Sequence, residues 1–193
     1  MGISSEPAEV TMSKENRTSL MPILIAVIIG LFLFIVDWST KSWAVTNLIE
    51  GQRVPTNIPL LFWRLTFNTG SHYILGQVGQ WIPYRLMMGI AATAVVVLMV
   101  YMARESLRVQ TRALKWLHWA ILALLIGSMG NAIEVITRGH ATDFFMIDPF
   151  PWPSNLCDQY VNFTVFALFP LSLILGWRAE RETMRGDNRE DTS

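Results

Sequence analysis

Apolar residues in this chain do not alternate with polar ones; they run in blocks as long as a membrane is thick. Nineteen consecutive uncharged residues lie between Arg17 and Asp37, 18 between Arg85 and Arg104, 18 between Lys115 and Glu134, and 19 between Asp158 and Arg178. A helix rising about 1.5 Å per residue needs about 20 residues to cross the hydrocarbon core, so each block predicts one membrane-spanning helix. A fifth charge-free stretch, 65–84, is different. Ten of its 20 residues are Thr, Asn, Gly, Ser, His or Gln, and lipid offers no partners to so many polar groups. The pattern predicts an all-α membrane protein with four spans and one long loop.

The polar segments divide the rest of the chain. Residues 1–18 and 178–193 are charged and poor in large apolar groups, which predicts disordered tails flanking a membrane domain at 19–177. The loop at about 46–84 is too long for a plain connector. It holds Pro55, Pro59 and Pro83 and a β-favouring piece, Leu60–Phe67, so short strands and an amphipathic turn near the membrane surface are expected there. The loop at about 136–158 carries Pro149, Pro151 and Pro153 and leads straight into the fourth span. The short basic loop at 104–115 predicts that the second and third spans pair antiparallel.

Orientation follows from the basic residues. The N-terminal tail, the 104–115 loop and the C-terminal tail hold ten Lys and Arg; the two alternate loops hold four, Arg53, Arg64, Arg85 and Arg138. The positive-inside rule then places both termini in the cytoplasm and the two long loops outside. The first span is longer than the apolar core of a signal peptide and no small-x-small cleavage site follows it. MGISSE lacks the Ser or Thr that a myristoylation signal carries at its sixth position.

Composition agrees with this picture: 52% of residues are hydrophobic and 16% charged, below the quarter or so usual in soluble domains. Formal charge is balanced at 15 basic against 15 acidic residues, which argues against a nucleic-acid partner. One cysteine, Cys157, permits no internal disulfide.

Acids at the edge of membrane spans are costly and suggest function. Asp37, Glu134, Asp143 and Asp158 all fall on the side assigned to the exterior. Asp37 stands four residues before Lys41, the spacing of a helical ion pair, and a structural pair at a helix interface competes with a role in a site. Glu134 follows Gly127, Gly130 and Asn131, residues that allow close helix approach and cross-helix hydrogen bonding. Asp143 and Asp158 flank a Pro-rich stretch able to turn the chain back. Two carboxylates brought together share one proton, so one can accept a proton from water while the other polarises a carbonyl. Spacing alone supports that arrangement only weakly. Cys157 lacks a well-placed histidine: His118 lies among tryptophans in the third span, and His72 and His140 have no metal-ligand spacing. No GxSxG, HExxH or phosphate loop is present.

Four segments, in order, resemble the motifs of the prolipoprotein signal peptidases, the type II signal peptidases of bacterial membranes. DWSTK at 37–41 is similar to the family's DQxTK, FNTGSHYIL at 67–75 to NTGAAFS, GSMGNAIEVITRGHATDFF at 127–145 to GAxGNxIDRxxxGxVVDF, and SNLCDQ at 154–159 to FNxADS. The resemblance covers roughly 30–175. It implies four helices with a small periplasmic β-rich domain after the first, no cofactor or metal, and an aspartic endopeptidase with Asp143 and Asp158 as catalytic pair. Asp37, Lys41, Asn68, Gly70, Asn131, Glu134 and Asn155 would bind substrate or support the site. The implied substrates are diacylglyceryl-modified prolipoproteins, cut before the lipidated cysteine by a monomer in the bacterial inner membrane, among membrane lipids. Glu134-Val135 replaces the family's Asp-Arg, and Cys157 and Gln159 replace its Ala and Ser. An inactive scaffold derived from the family is the alternative; a small transporter is disfavoured because no acid falls mid-span.

Overall fold

The computed structural model describes residues 20–70, 83–109 and 111–190. In chain order it contains helix α1 (Leu20–Asn47), strands β1 (Val54–Pro55) and β2 (Leu61–Asn68), and helices α2 (Tyr84–Arg108), α3 (Arg112–Gly127) and α4 (Met129–Arg138). Strand β3 (Ala141–Ile147), helix α5 (Leu156–Phe163), a π-helical turn (Thr164–Leu168) and helix α6 (Phe169–Glu190) follow. Among the described residues, four stretches are long and apolar enough to span a membrane: α1, α2, α3 with α4, and the last helix from Leu156 to Arg181. The chain is a multi-pass membrane protein, as the charge-free blocks predict. The N-terminal tail and the part of the long loop holding His72 lie outside the described residues.

The helices begin and end where their sequences require. Pro22 sits in the first turn of α1, where its missing N–H costs nothing. Pro83 caps α2, its carbonyl accepting from Leu86 and Met87. Gly139, at φ 88°, ends α4 with its N–H on the Val135 carbonyl, a left-handed cap that favours glycine. Pro170 removes the amide that would serve Phe166 in an α-helix, and the chain takes one π turn there before α6 resumes.

The third span is the central one: 56% of its most apolar window is buried, against 6–17% in the other three. Small residues let α1 press on it. A Cβ on Gly30 would lie 2.6 Å from Ile126 Cβ, and one on Gly127 2.9 Å from Leu33 Cβ. Met102, Leu114, Leu117, Ile121 and Leu125 form a second seam joining α2, α3 and the last helix.

Two features extend what the sequence predicts. The small sheet expected in the loop after the first helix is present, and it reaches beyond that loop. It is an antiparallel sheet ordered β1-β2-β3, and its third strand, carrying Asp143, comes from the loop after the third span. Strand pairing joins residues about 75 positions apart, which a pattern read along the chain does not register. The other is the C-terminal segment: α6 runs on to Glu190, past the tail boundary expected at 178. Glu180, Arg181, Glu182 and Arg185 are good helix formers with no proline among them, and the Arg181 guanidinium stacks on Trp177, one turn back, at 3.7 Å.

The sheet packs over one end of the helix bundle. Leu65, Phe144 and Phe145 close on Ala44, Leu48 and Leu156, so β2 and β3 are anchored between the end of α1 and the start of α5.

Candidate active site

Asp143 and Asp158 are brought together by backbone pairing. The N–H groups of Phe144 and Phe145 donate to the Ser154 carbonyl at 3.0 and 3.1 Å, and the Ser154 N–H donates to Phe145 at 2.8 Å. These bonds lay the entry to α5 alongside β3. Asn155, fully buried, then caps α5. Its side-chain oxygen accepts from the Asp158 N–H at 3.1 Å, and Asp158 Oδ2 accepts the Asn155 N–H at 3.2 Å, a reciprocal capping box. The Asn155 amide nitrogen donates to Asp143 Oδ1 at 2.6 Å. One asparagine thus starts the helix, holds one acid and reaches the other.

Each acid has further donors. Asp143 pairs with Thr66 across β2 and β3, so Asn68, two residues on, lies on the same face. Its amide nitrogen donates to Asp143 Oδ2 at 3.3 Å while its oxygen accepts the Gly70 N–H at 2.9 Å. Gly70 is needed in person: it sits at φ 86°, and a Cβ there would enter the Tyr84 ring. Asp158 accepts from Asn131 Nδ2 at 2.8 Å and from the Ser154 hydroxyl at 3.2 Å.

Behind the acids lies a buried charge cluster. Lys41 Nζ is 2.9 Å from Asp37 Oδ2 and 3.3 Å from Glu134 Oε2, and donates a short hydrogen bond to Asn131 Oδ1. The expected i, i+4 pair therefore exists, and it also fixes Asn131, whose oxygen faces Lys41 so that its N–H group faces Asp158. Asp37 Oδ1 accepts the Cys157 N–H at 3.0 Å, tying α1 to α5. Gly130 makes room for that junction, since a Cβ there would lie 2.7 Å from Asp37 Oδ2 and 2.8 Å from Cys157 Sγ.

A cleft of about 720 Å³ opens on Asp158. Asn131, Ser154 and Gln159 line its polar side and Met88, Phe145 and Trp152 its apolar side. Burial first, and the neighbouring Asp158 charge second, push the Asp143 carboxyl up to about 7; hydrogen bonds from Asn68 and Asn155 and the Lys41 charge oppose the rise without cancelling it. Such an arrangement can hold one proton on a pair of acids at neutral pH.

A family model described as signal peptidase II matches residues 20–174. The chain belongs to the signal peptidase II family. It is 27% identical over 179 residues to a lipoprotein signal peptidase of Leifsonia xyli subsp. xyli (89% of this chain, 77% of that one). It is 30% identical over 170 residues to one of Xanthomonas oryzae pv. oryzae (81% of this chain, 93% of that one). Two solved bacterial membrane enzymes share the fold, with TM-scores of 0.58 and 0.59 at 19% and 20% identity, covering 78% and 77% of this chain and 87% and 92% of theirs.

As a member of the signal peptidase II family the chain is a peptidase. Where it departs from the family motif, the charge arrangement has been rebuilt. Glu134, fully buried, accepts from the Thr142 hydroxyl at 2.5 Å and from the Thr142 N–H at 3.0 Å. Arg138, one turn on, approaches it at 3.5 Å and lies over the Trp38 ring, so a cation still stands beside the acid although position 135 is Val. Thr142, Arg138 and Ser154 were not singled out in the sequence. Thr142 and Ser154 lie inside motif-like segments, each next to a matched residue, the one local sign of their part.

Proposed function

We propose that the chain is an aspartic endopeptidase that removes signal peptides from diacylglyceryl-modified prolipoproteins, with Asp143 and Asp158 as its catalytic pair. The observation that carries this reading is the shared scaffold of the two acids, each bonded to Asn155 and each held by a second asparagine. Asp158 receives three donors and stands at the start of a helix, where negative charge is favoured; it is the ionised member. Asp143, whose Oδ2 has only the long contact from Asn68, carries the shared proton. Asp158 takes a proton from water as the water oxygen adds to the scissile carbonyl, and Asp143 gives its proton to the carbonyl oxygen. Collapse of the tetrahedral intermediate returns that proton to Asp143 and passes the one on Asp158 to the departing amine. The apolar side of the cleft suits the signal-peptide segment. The test is cleavage of a lipidated precursor by the purified chain, and restoration of processing in cells lacking their own enzyme; failure of both sinks the reading.

Activity follows a bell-shaped pH profile in this mechanism. The sign of the alkaline limb comes from Asp143: its proton is held up to about pH 7, so turnover falls as pH rises through that value. Removing a donor to the ionised form, as in Asn68→Leu, moves the limb upward. An alkaline limb that Asn68→Leu leaves in place would assign it to another group.

Cys157 takes no part in this chemistry. It is fully buried, its Sγ 3.4 Å from the Gly127 carbonyl, and the carboxylate beside it, Asp37, is already engaged by Lys41 and by the Cys157 N–H. Cys157→Ala is expected to keep most of the activity; complete loss in well-folded protein would point to a thiol nucleophile instead.

We place both termini in the cytoplasm and the acids near the outer face, on the ten-to-four distribution of basic residues. The exposed Phe150 and Trp152 beside the cleft suit a membrane interface. In a Cys157→Ala background, a cysteine introduced within 104–115 should resist membrane-impermeant reagents in intact cells; labelling there reverses the orientation. The enzyme works as a monomer in this proposal.

A further inference from the structure

Asp158 is held by three donors, and one of them differs in kind. Asn131 presents its amide N–H because Lys41 occupies the amide oxygen, and the Asn155 donor is a backbone N–H with no alternative form. The third, the Ser154 hydroxyl, is a rotor that can donate, accept or turn away. Gln159 removes that freedom. Its Nε2 donates to Ser154 Oγ at 2.8 Å, occupying a lone pair and leaving the hydroxyl hydrogen free to point at Asp158 Oδ2. The Ser154 backbone is clamped to Phe145 in both directions, so the side chain has a fixed base from which to act. In the motif that this segment resembles, Phe stands at 154 and Ser at 159; here both positions differ, and the two replacements touch each other.

We propose that Ser154 and Gln159 are a positioning pair for the reaction: Gln159 orients the Ser154 hydroxyl, and Ser154 holds Oδ2 of Asp158 as the proton-accepting oxygen. The inference rests on the reading of Asp158 as the ionised acid. The charged and titratable groups facing Asp158 are Asp143 from β3, Asp37 and Lys41 from α1, and Tyr84 from α2. None of them is bonded to Ser154 or Gln159, so variants at these two positions test the pair itself. The competing role for Gln159 is contact with the substrate, since it lines the cleft.

The test uses the full chain in detergent and a lipidated precursor, with turnover measured across pH. Ser154→Ala is expected to lower kcat about ten-fold with KM little changed, the effect of losing one hydrogen bond to a charged group. Its acid limb should move up by about one pH unit, because a carboxylate with fewer donors protonates sooner. Ser154→Thr should restore both. Gln159→Ala should shift the limb less, in the same direction, and add nothing in the Ser154→Ala background. An unmoved acid limb in Ser154→Ala overturns the pair, as do additive losses with a raised KM, which assign Gln159 to substrate. An infrared titration of the carboxyl band that disappears in Asp158→Asn gives a reading independent of activity. A wild-type chain that cleaves no precursor defeats the proposed function, while the shift of that band between wild type and Ser154→Ala still decides the pair.

Discussion

Asp143→Asn and Asp158→Asn are each expected to lower cleavage by about 10²–10⁴-fold, the usual worth of a positioned acid or base, while the protein still inserts in the membrane. The amide keeps the shape and part of the hydrogen bonding: its single oxygen can still accept from Asn155 at 143 and from Asn131 at 158. What each variant removes is the shared proton's second home. At 158 the group that takes a proton from water is gone, and at 143 the carboxyl that gives one to the carbonyl oxygen. Because the two acids act as a unit, the double variant should be scarcely slower than either single one. Glu134→Gln is expected to do less harm. Glu134 touches Thr142, Lys41 and Arg138 but neither acid; through Thr142 it holds the strand that carries Asp143. Turnover of a lipidated precursor, with membrane-inserted protein measured alongside, checks all four variants. Activity surviving in Asp143→Asn but lost in Glu134→Gln would overturn the assignment of the pair.

The spans were legible because membrane insertion is governed by a one-dimensional quantity, the length of chain without charge. The Asp37–Lys41 pair was legible for a related reason: α-helical spacing sets the contact four residues apart. Asp143 was not, from spacing alone. It reaches Asp158 only because β3 pairs with β2 across some 75 residues and with Ser154 across the Pro-rich turn. Pairings of that kind leave no period in the sequence, and only the resemblance to family motifs pointed to them. Asn155 illustrates the remainder. As an N-cap it is an ordinary residue three before an acid; that its amide also reaches the second acid depends on the strand beside it. The C-terminal segment is harder to read, because a mixture of Arg and Glu suits a solvated helix as well as a disordered tail.

Lys41→Met is expected to destabilise the protein by about 3–5 kcal/mol, the usual cost of stripping a buried charge of its partner. Lys41 is 3% exposed, and Asp37, fully buried, has it as its cationic partner at 2.9 Å. Glu134 suffers less, since Arg138 and Thr142 remain with it. The second variant Asp37→Asn should therefore recover most of the loss in a Lys41→Met background: an asparagine there is neutral and can still accept the Cys157 N–H through its oxygen. Cleavage should not recover with stability. Without Lys41, nothing holds the Asn131 oxygen on the far side, and its amide can turn its oxygen toward Asp158 in place of the N–H. An acceptor facing an acceptor repels, so the ionised form of Asp158 loses a donor and gains an opposing dipole. Thermal unfolding in detergent measures the first effect and precursor cleavage the second. A Lys41→Met protein as stable as wild type would mean that the Asp37–Lys41 contact is not a stabilising ion pair. A double variant regaining both stability and turnover would leave Lys41 a structural role and free Asn131 of its dependence on it.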